Sequence, residues 1–144
     1  MLALNNNSSE IMQQFNVHAC TDITGYGLLG HLMEMCKSSQ VSAIIEFNKL
    51  PLIQGAFELA QKGFVPGGTK RNLDFVSPDV NFSDNIAQEE KYLMADAQTS
   101  GGLLISVPRE KAETLQNSLQ ENNCLTSSMI GEIYNPDEVS IYVN

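Results

Sequence analysis

The sequence predicts an α/β (α+β) domain, a mixed β-sheet flanked by helices. Stretches with apolar residues at helical spacing, such as Leu28 to Cys36 and Ala112 to Leu119, interleave with short β-rich runs such as "VSAIIEF" and "LLISV". The chain has 144 residues, 42% of them apolar, enough for one continuous core without a disulfide or a structural metal. A single domain over residues 1–144 is therefore expected.

Asn7 followed by Glu10 resembles a capping box, and Ile11, Met12 and Phe15 recur at helical spacing, so an opening helix is expected to end near Asn16. "VHACTDI" then reads as an extended connection. From Gly27 the residues Leu28, Leu29, Leu32, Met33, Met35 and Cys36 keep to one broad face of a first long helix. Val41, Ala43, Ile45 and Phe47 alternate as a strand, expected to be well buried because Ile44 interrupts its polar face. Pro51 suits the start and Gly63 the end of the next helix. "FVPGGTKRNLDFVSPDVNFS", residues 64–83, has no sustained period and reads as a long surface loop. A helix over Ile86 to Met94 follows, then the turn "DAQTSGG", the strand "LLISV" and a helix from Pro108 through Glu121. Two strands, Ser127 to Tyr134 and Val139 to Val143, close the chain around the turn sequence "NPDE".

The net charge of −9 arises from 17 acidic and 8 basic residues, and no Lys/Arg stripe follows a phosphate backbone, which argues against nucleic acid as a partner. A nucleotide remains accessible to such a chain if a divalent cation lies between carboxylate and phosphate. Three cysteines without C-x-x-C spacing point to a reducing compartment. The stretch "MLALNNNSSE" lacks the features of a leader and no run is apolar enough for a membrane span, so a cytoplasmic location without membrane attachment is expected.

The most informative stretch is "HACTDITGYGLLGH", residues 18 to 31. Asp22, just ahead of a helix N-terminus, suits either a cap or a ligand to a hard cation. Gly25 and Gly27 favour the second role, because a glycine-rich helix start lets an anion approach the backbone. His18, Cys20 and His31 match no tetrahedral zinc spacing, and a nucleophilic pairing of Cys20 with His18 lacks a third member to orient the base. His31 is expected at the edge of the core. "GFVPGGTK" fails as a phosphate loop, since Thr69 precedes Lys70. Thr69, Lys70 and Arg71 suit a phosphate contact and a solvated basic turn equally. "DAQTSGGLL", residues 96 to 104, reads as a tight turn that satisfies its own backbone.

Together these stretches resemble selenophosphate synthetase (selenide, water dikinase), whose second half carries a pattern like H-A-C-T-D-[IV]-T-G-[FY]-G-L-L-G-H. "GGTKRN" (Gly67 to Asn72) and "QTSGGLL" (Gln98 to Leu104) resemble that family's segments in the same order. The resemblance covers nearly the whole chain but only the family's C-terminal domain, whose fold is shared across the aminoimidazole ribonucleotide synthetase superfamily. It implies conversion of ATP, selenide and water to selenophosphate, AMP and phosphate, with Mg²⁺ bridging carboxylates and phosphates. Asp22 aligns with the C-terminal-domain carboxylate of the metal site. Thr21 and Thr24 are implied as supporting residues, and Thr69, Thr24, Gly25 and Gly27 as the nucleotide-facing set. The family's reactive cysteine or selenocysteine, its lysine and its other aspartates belong to an N-terminal domain not included here. No catalytic residue is therefore expected in this piece, which should be inactive by itself; a homodimeric parent is compatible with the resemblance. Ala97 stands where many relatives have proline, and Tyr26 where Phe is commoner. The rival expectation is a non-catalytic binding or assembly module with the same fold, or the C-terminal domain of another ATP-using member of the superfamily.

Overall fold

A computed structural model describes residues 4–144; the first three residues of the N-terminal stretch discussed above lie outside them. The elements run α1 (Asn6–Met12), β1 (Ala19–Asp22), α2 (Gly27–Ser39), β2 (Ser42–Ile45), α3 (Ala56–Gln61), α4 (Gly67–Val76), β3 (Val80–Phe82), α5 (Gln88–Ala95), β4 (Leu103–Ser106), α6 (Arg109–Glu121), β5 (Gly131–Tyr134) and β6 (Ile141–Val143). The expected mixed sheet is present, with strand order β3-β6-β2-β5. Strand β2 pairs parallel with β6 and antiparallel with β5, while β3 pairs parallel with β6. A separate antiparallel ribbon joins β1 to β4, with Asp22 opposite Leu103.

Helix α2 forms the centre of the core. Leu29, Leu32, Met33 and Cys36 recur on one face and meet Ala43 and Ile45 of β2, Leu73 and Val76 of α4, Met94 and Ala95 of α5, and Ile141 and Val143 of β6. The helix ends where Gln40 turns left-handed (φ 54°), so that the Val41 amide reaches the Cys36 carbonyl and the Gln40 amide that of Lys37. A second cluster joins α1 and α6 through Ile11, Leu115 and Leu119, with Ile105 and Val107 beneath them. Among the described residues no helix is long and apolar enough to cross a membrane.

The largest departure from expectation is the stretch read as one long loop, which contains α4 and β3. Thr69, Leu73 and Val76 lie at helical spacing and are all buried, so tertiary contacts stabilise a helix whose Gly-Gly start is intrinsically poor. The connection "VHACTDI" contains β1, which exists because β4 supplies its partner across more than eighty residues. Helix α1 stops at Met12 and has no capping box, since Asn7 donates instead to the Asn122 carbonyl at 2.9 Å. Helix α3 begins at Ala56 rather than near Pro51, after a left-handed Gly55 (φ 84°). Its end is as expected. Gly63 (φ 82°) lets its own amide reach the Ala60 carbonyl and that of Phe64 reach Leu59.

Ile44, expected to be buried, faces outward on β2 while its neighbours point into the core. The two closing strands flank β2 on opposite sides instead of pairing with each other. Buried Ser42 secures the crossover between them, accepting from the Asp137 amide and donating to the Val139 carbonyl, both at 2.9 Å. Gly131 is required where β5 meets β2, because a Cβ there would overlap the Ile44 carbonyl.

Candidate functional site

The three stretches singled out in the sequence meet at one end of the β1–β4 ribbon. Beyond Asp22 the pairing continues as Ile23 donates to the Gly102 carbonyl at 2.9 Å and Gly101 donates back to Ile23 at 3.1 Å. Gly101 is needed for this approach, since a Cβ there would overlap the Ile23 carbonyl. The chain then turns: the Thr24 carbonyl accepts from Gly27 at 3.1 Å and from Gln98 at 2.9 Å. This fixes the turn before α2 against the segment after α5.

Helix α4 holds the same turn from the other side. The Asn72 amide group donates to the Gly25 carbonyl at 2.8 Å and to the Ala95 carbonyl at 3.1 Å. Asp96 accepts from the Thr69 hydroxyl at 2.6 Å and from the Gln98 side chain at 3.0 Å. "TGYG", "GGTKRN" and "DAQTSGG" are thus one hydrogen-bonded unit.

Asp22 lies exposed at the end of β1 and takes part in no ion pair among the described residues. It is not a helix cap: Tyr26 holds the N-cap position of α2, with no side-chain bond to the helix amides. Gly25 is exposed, and a Cβ built on it would meet nothing within 4 Å. Gly27 differs. It is buried at φ 69°, and a Cβ there would lie 2.6 Å from the Ala95 carbonyl carbon, so the backbone of α5, rather than a ligand, makes that approach. Thr24 is half-buried, with its hydroxyl 3.0 Å from Nε2 of His31, and the Thr21 hydroxyl donates to the Asp22 carbonyl at 3.3 Å. Thr69, expected to approach phosphates, is only 1% exposed and gives its proton to Asp96. It braces the wall of the site from within. Lys70 and Arg71 beside it are exposed and make no ion pair among the described residues.

Cys20 and Cys36 are not poised for nucleophilic work. Burial, with a smaller contribution from the Asp22 charge, raises the Cys20 pKa, and burial pushes Cys36 up to about 11. Two shallow clefts of about 170 and 110 Å³ lie elsewhere, around the end of α2, and are lined by residues such as Lys37 and Asp137 or His18 and Ile133. Neither cleft includes Asp22, Thr24 or Gly25, of which Asp22 and Gly25 are exposed and Thr24 half-buried. Among the described residues no three His, Cys, Asp or Glu side chains are grouped to hold an ion. A hard cation takes oxygen ligands and tolerates a single protein carboxylate when phosphates and waters complete its shell, so Asp22 fits Mg²⁺ as one ligand among several. Reading residues separately did not reveal the bracing roles of Asn72, Asp96 and Gln98; the signal was the density of short polar side chains in "GGTKRN" and "DAQTS".

The profile described as AIR synthase related protein, C-terminal domain, matches residues 2–144, and the chain belongs to that family. Within it, the chain is 43% identical over 143 residues to a selenide, water dikinase of Clostridioides difficile (strain 630), covering 99% of this chain and 41% of that one. It is 46% identical over 144 residues to the selenide, water dikinase of Caldanaerobacter subterraneus subsp. tengcongensis, with coverage of 99% and 41%. The chain thus spans about two fifths of the length of these relatives. The crystal structure of thiamine monophosphate kinase from Aquifex aeolicus superposes with a TM-score of 0.55 at 15% identity, over 99% of this chain and 36% of that one, which is a likeness of fold.

Proposed function

We propose that residues 1–144 form the C-terminal domain of a selenophosphate synthetase, contributing one wall of an ATP·Mg²⁺ cleft for the reaction of ATP, selenide and water to selenophosphate, AMP and phosphate. One observation carries this reading: Asp22 is an exposed carboxylate without an ion-pair partner among the described residues, beside open Gly25, at the point where the three motif segments meet. The identity to selenide, water dikinases at 43% and 46% supports the choice of reaction.

In this reading Asp22 holds Mg²⁺, and Thr24 and Gly25 face the nucleotide phosphates. Gly27 and Thr69 serve from behind, Gly27 by admitting α5 and Thr69 by fixing Asp96. Bound Mg²⁺ supplies charge neutralisation along the phosphate chain. The remaining ligands and the reacting groups come from an N-terminal domain, so the 144-residue piece is inactive alone. Substituting Asp22→Asn in the full-length protein tests the assignment. Selenide-dependent AMP formation is expected to fall at least about tenfold, in line with the loss of a charged ligand. Undiminished turnover removes the metal role.

A further inference from the structure

We propose that Asn72 is a positioning residue for the turn before α2: by holding the Gly25 carbonyl on the α4 side, it directs the Tyr26 main-chain N–H away from α4, as a donor to a phosphoryl oxygen. The inference rests on the reading of Gly25 as phosphate-facing given above and deepens it.

The side-chain nitrogen of Asn72 lies 2.8 Å from the Gly25 carbonyl oxygen and 3.1 Å from that of Ala95. Carbonyl oxygens only accept, so the orientation of the Asn72 amide is fixed and both of its hydrogens are used. Asn72 therefore has no donor left for a ligand and acts through the groups it holds. The peptide joining Gly25 to Tyr26 is trans, so its N–H points opposite to its C=O. With that carbonyl turned toward α4, the Tyr26 N–H faces the other way.

Nothing in the chain takes this N–H. Among the described residues it donates to no backbone carbonyl and to no side chain. Gly25 and Tyr26 are both exposed, and a Cβ on Gly25 would meet nothing within 4 Å. The rest of the turn is fixed as well. The Thr24 carbonyl accepts from Gly27 and Gln98, and the Tyr26 ring meets those of His31 and Phe75 at centroid distances of 5.9 and 6.3 Å. A main-chain donor already held in place pays little to orient on a charged oxygen when the ligand arrives.

The test uses the full-length protein. ATP is titrated calorimetrically in the presence of Mg²⁺, thermal unfolding is followed in parallel, and hydrogen–deuterium exchange of the segment from Thr24 to Leu28 is read by mass spectrometry. Asn72→Ala is expected to weaken ATP binding about tenfold, the scale of one hydrogen bond to a charged group. Asn72→Asp keeps the shape but cannot donate when ionised, and should lose at least as much. Leu115→Ala, in the separate cluster between α1 and α6, supplies a purely structural loss and should leave ATP affinity within about twofold of wild type. ATP with Mg²⁺ should slow exchange in the turn segment of the wild type and not in Asn72→Ala.

An Asn72→Ala affinity within about twofold of wild type overturns the proposal. So does equal loss of affinity in Asn72→Ala and Leu115→Ala, since Asn72 would then act only through stability. Exchange in the wild-type turn that saturating ATP with Mg²⁺ leaves unchanged also overturns it, and this measurement decides the matter without a variant should both substitutions at position 72 fail to fold. If Asp22→Asn weakens binding while Asn72→Ala does not, only this inference falls. If neither has an effect, the phosphate-facing reading falls with it.

Discussion

Thr69 donates its hydroxyl proton to Asp96 across 2.6 Å, tying the first turn of α4 to the segment that leaves α5. The bond is shielded from solvent on the threonine side and ends on a carboxylate, which places it among the stronger hydrogen bonds. Thr69→Val is nearly isosteric and leaves Asp96 with Gln98 as its remaining side-chain partner. It is expected to cost about 1–3 kcal/mol, read as a lowered urea midpoint with an unchanged slope, while Thr69→Ser stays near wild type. A Thr69→Val midpoint equal to wild type shows that the bond contributes nothing to stability.

The two glycines before α2 should respond in opposite ways. Gly27→Ala combines a left-handed φ of 69° with a Cβ only 2.6 Å from the Ala95 carbonyl carbon, and neither backbone can yield cheaply. Destabilisation of at least about 2 kcal/mol is expected in thermal unfolding. Gly25→Ala meets open space and should change stability by less than about 0.5 kcal/mol, yet weaken nucleotide binding in the full-length protein, because the methyl stands on the exposed side. Equal stability losses at both positions would show that the contrast in packing has no energetic meaning.

Cys36 should behave as an inert core thiol. Burial raises its pKa from the ordinary 9.0 to about 11, so the neutral form is favoured in the folded chain. The folded state binds more protons than the unfolded state between these two values, so this contribution to stability is complete below about pH 9 and is lost as pH rises toward 11. Iodoacetamide at pH 8 should leave Cys36 unlabelled until the chain is unfolded in urea, as peptide mass mapping can establish. Rapid labelling of the native chain would contradict both the burial and the raised pKa.

Where local chemistry was sufficient, the elements were readable from sequence. The apolar face of α2, the run "LLISV" and the left-handed Gly63 that ends α3 each depend on residues within one or two turns of one another. Asp22 was legible as a candidate site residue for the same reason, since a carboxylate among threonines and glycines carries its chemistry in its immediate neighbours.

Other features depended on distant partners. Helix α4 was hidden because Pro66, Gly67, Gly68 and Pro78 all signal a break, and only the burial of Thr69, Leu73 and Val76 outweighs that propensity. Strand β1 was hidden because a four-residue ribbon has no identity without β4. Gly27 and Thr69 were recognised as important, but whether they face a ligand or brace its wall depends on what stands next to them in space.

The amino-acid order by itself determined the helical faces, the acidic balance and the residue types gathered around Asp22, because these follow from periodicity and side-chain chemistry within short stretches. Tertiary structure alone decided that three separated polar segments form one hydrogen-bonded wall with Asn72 and Asp96 as its braces. Those bonds join groups tens of residues apart, and no local preference encodes a contact whose two halves meet only after the core has packed.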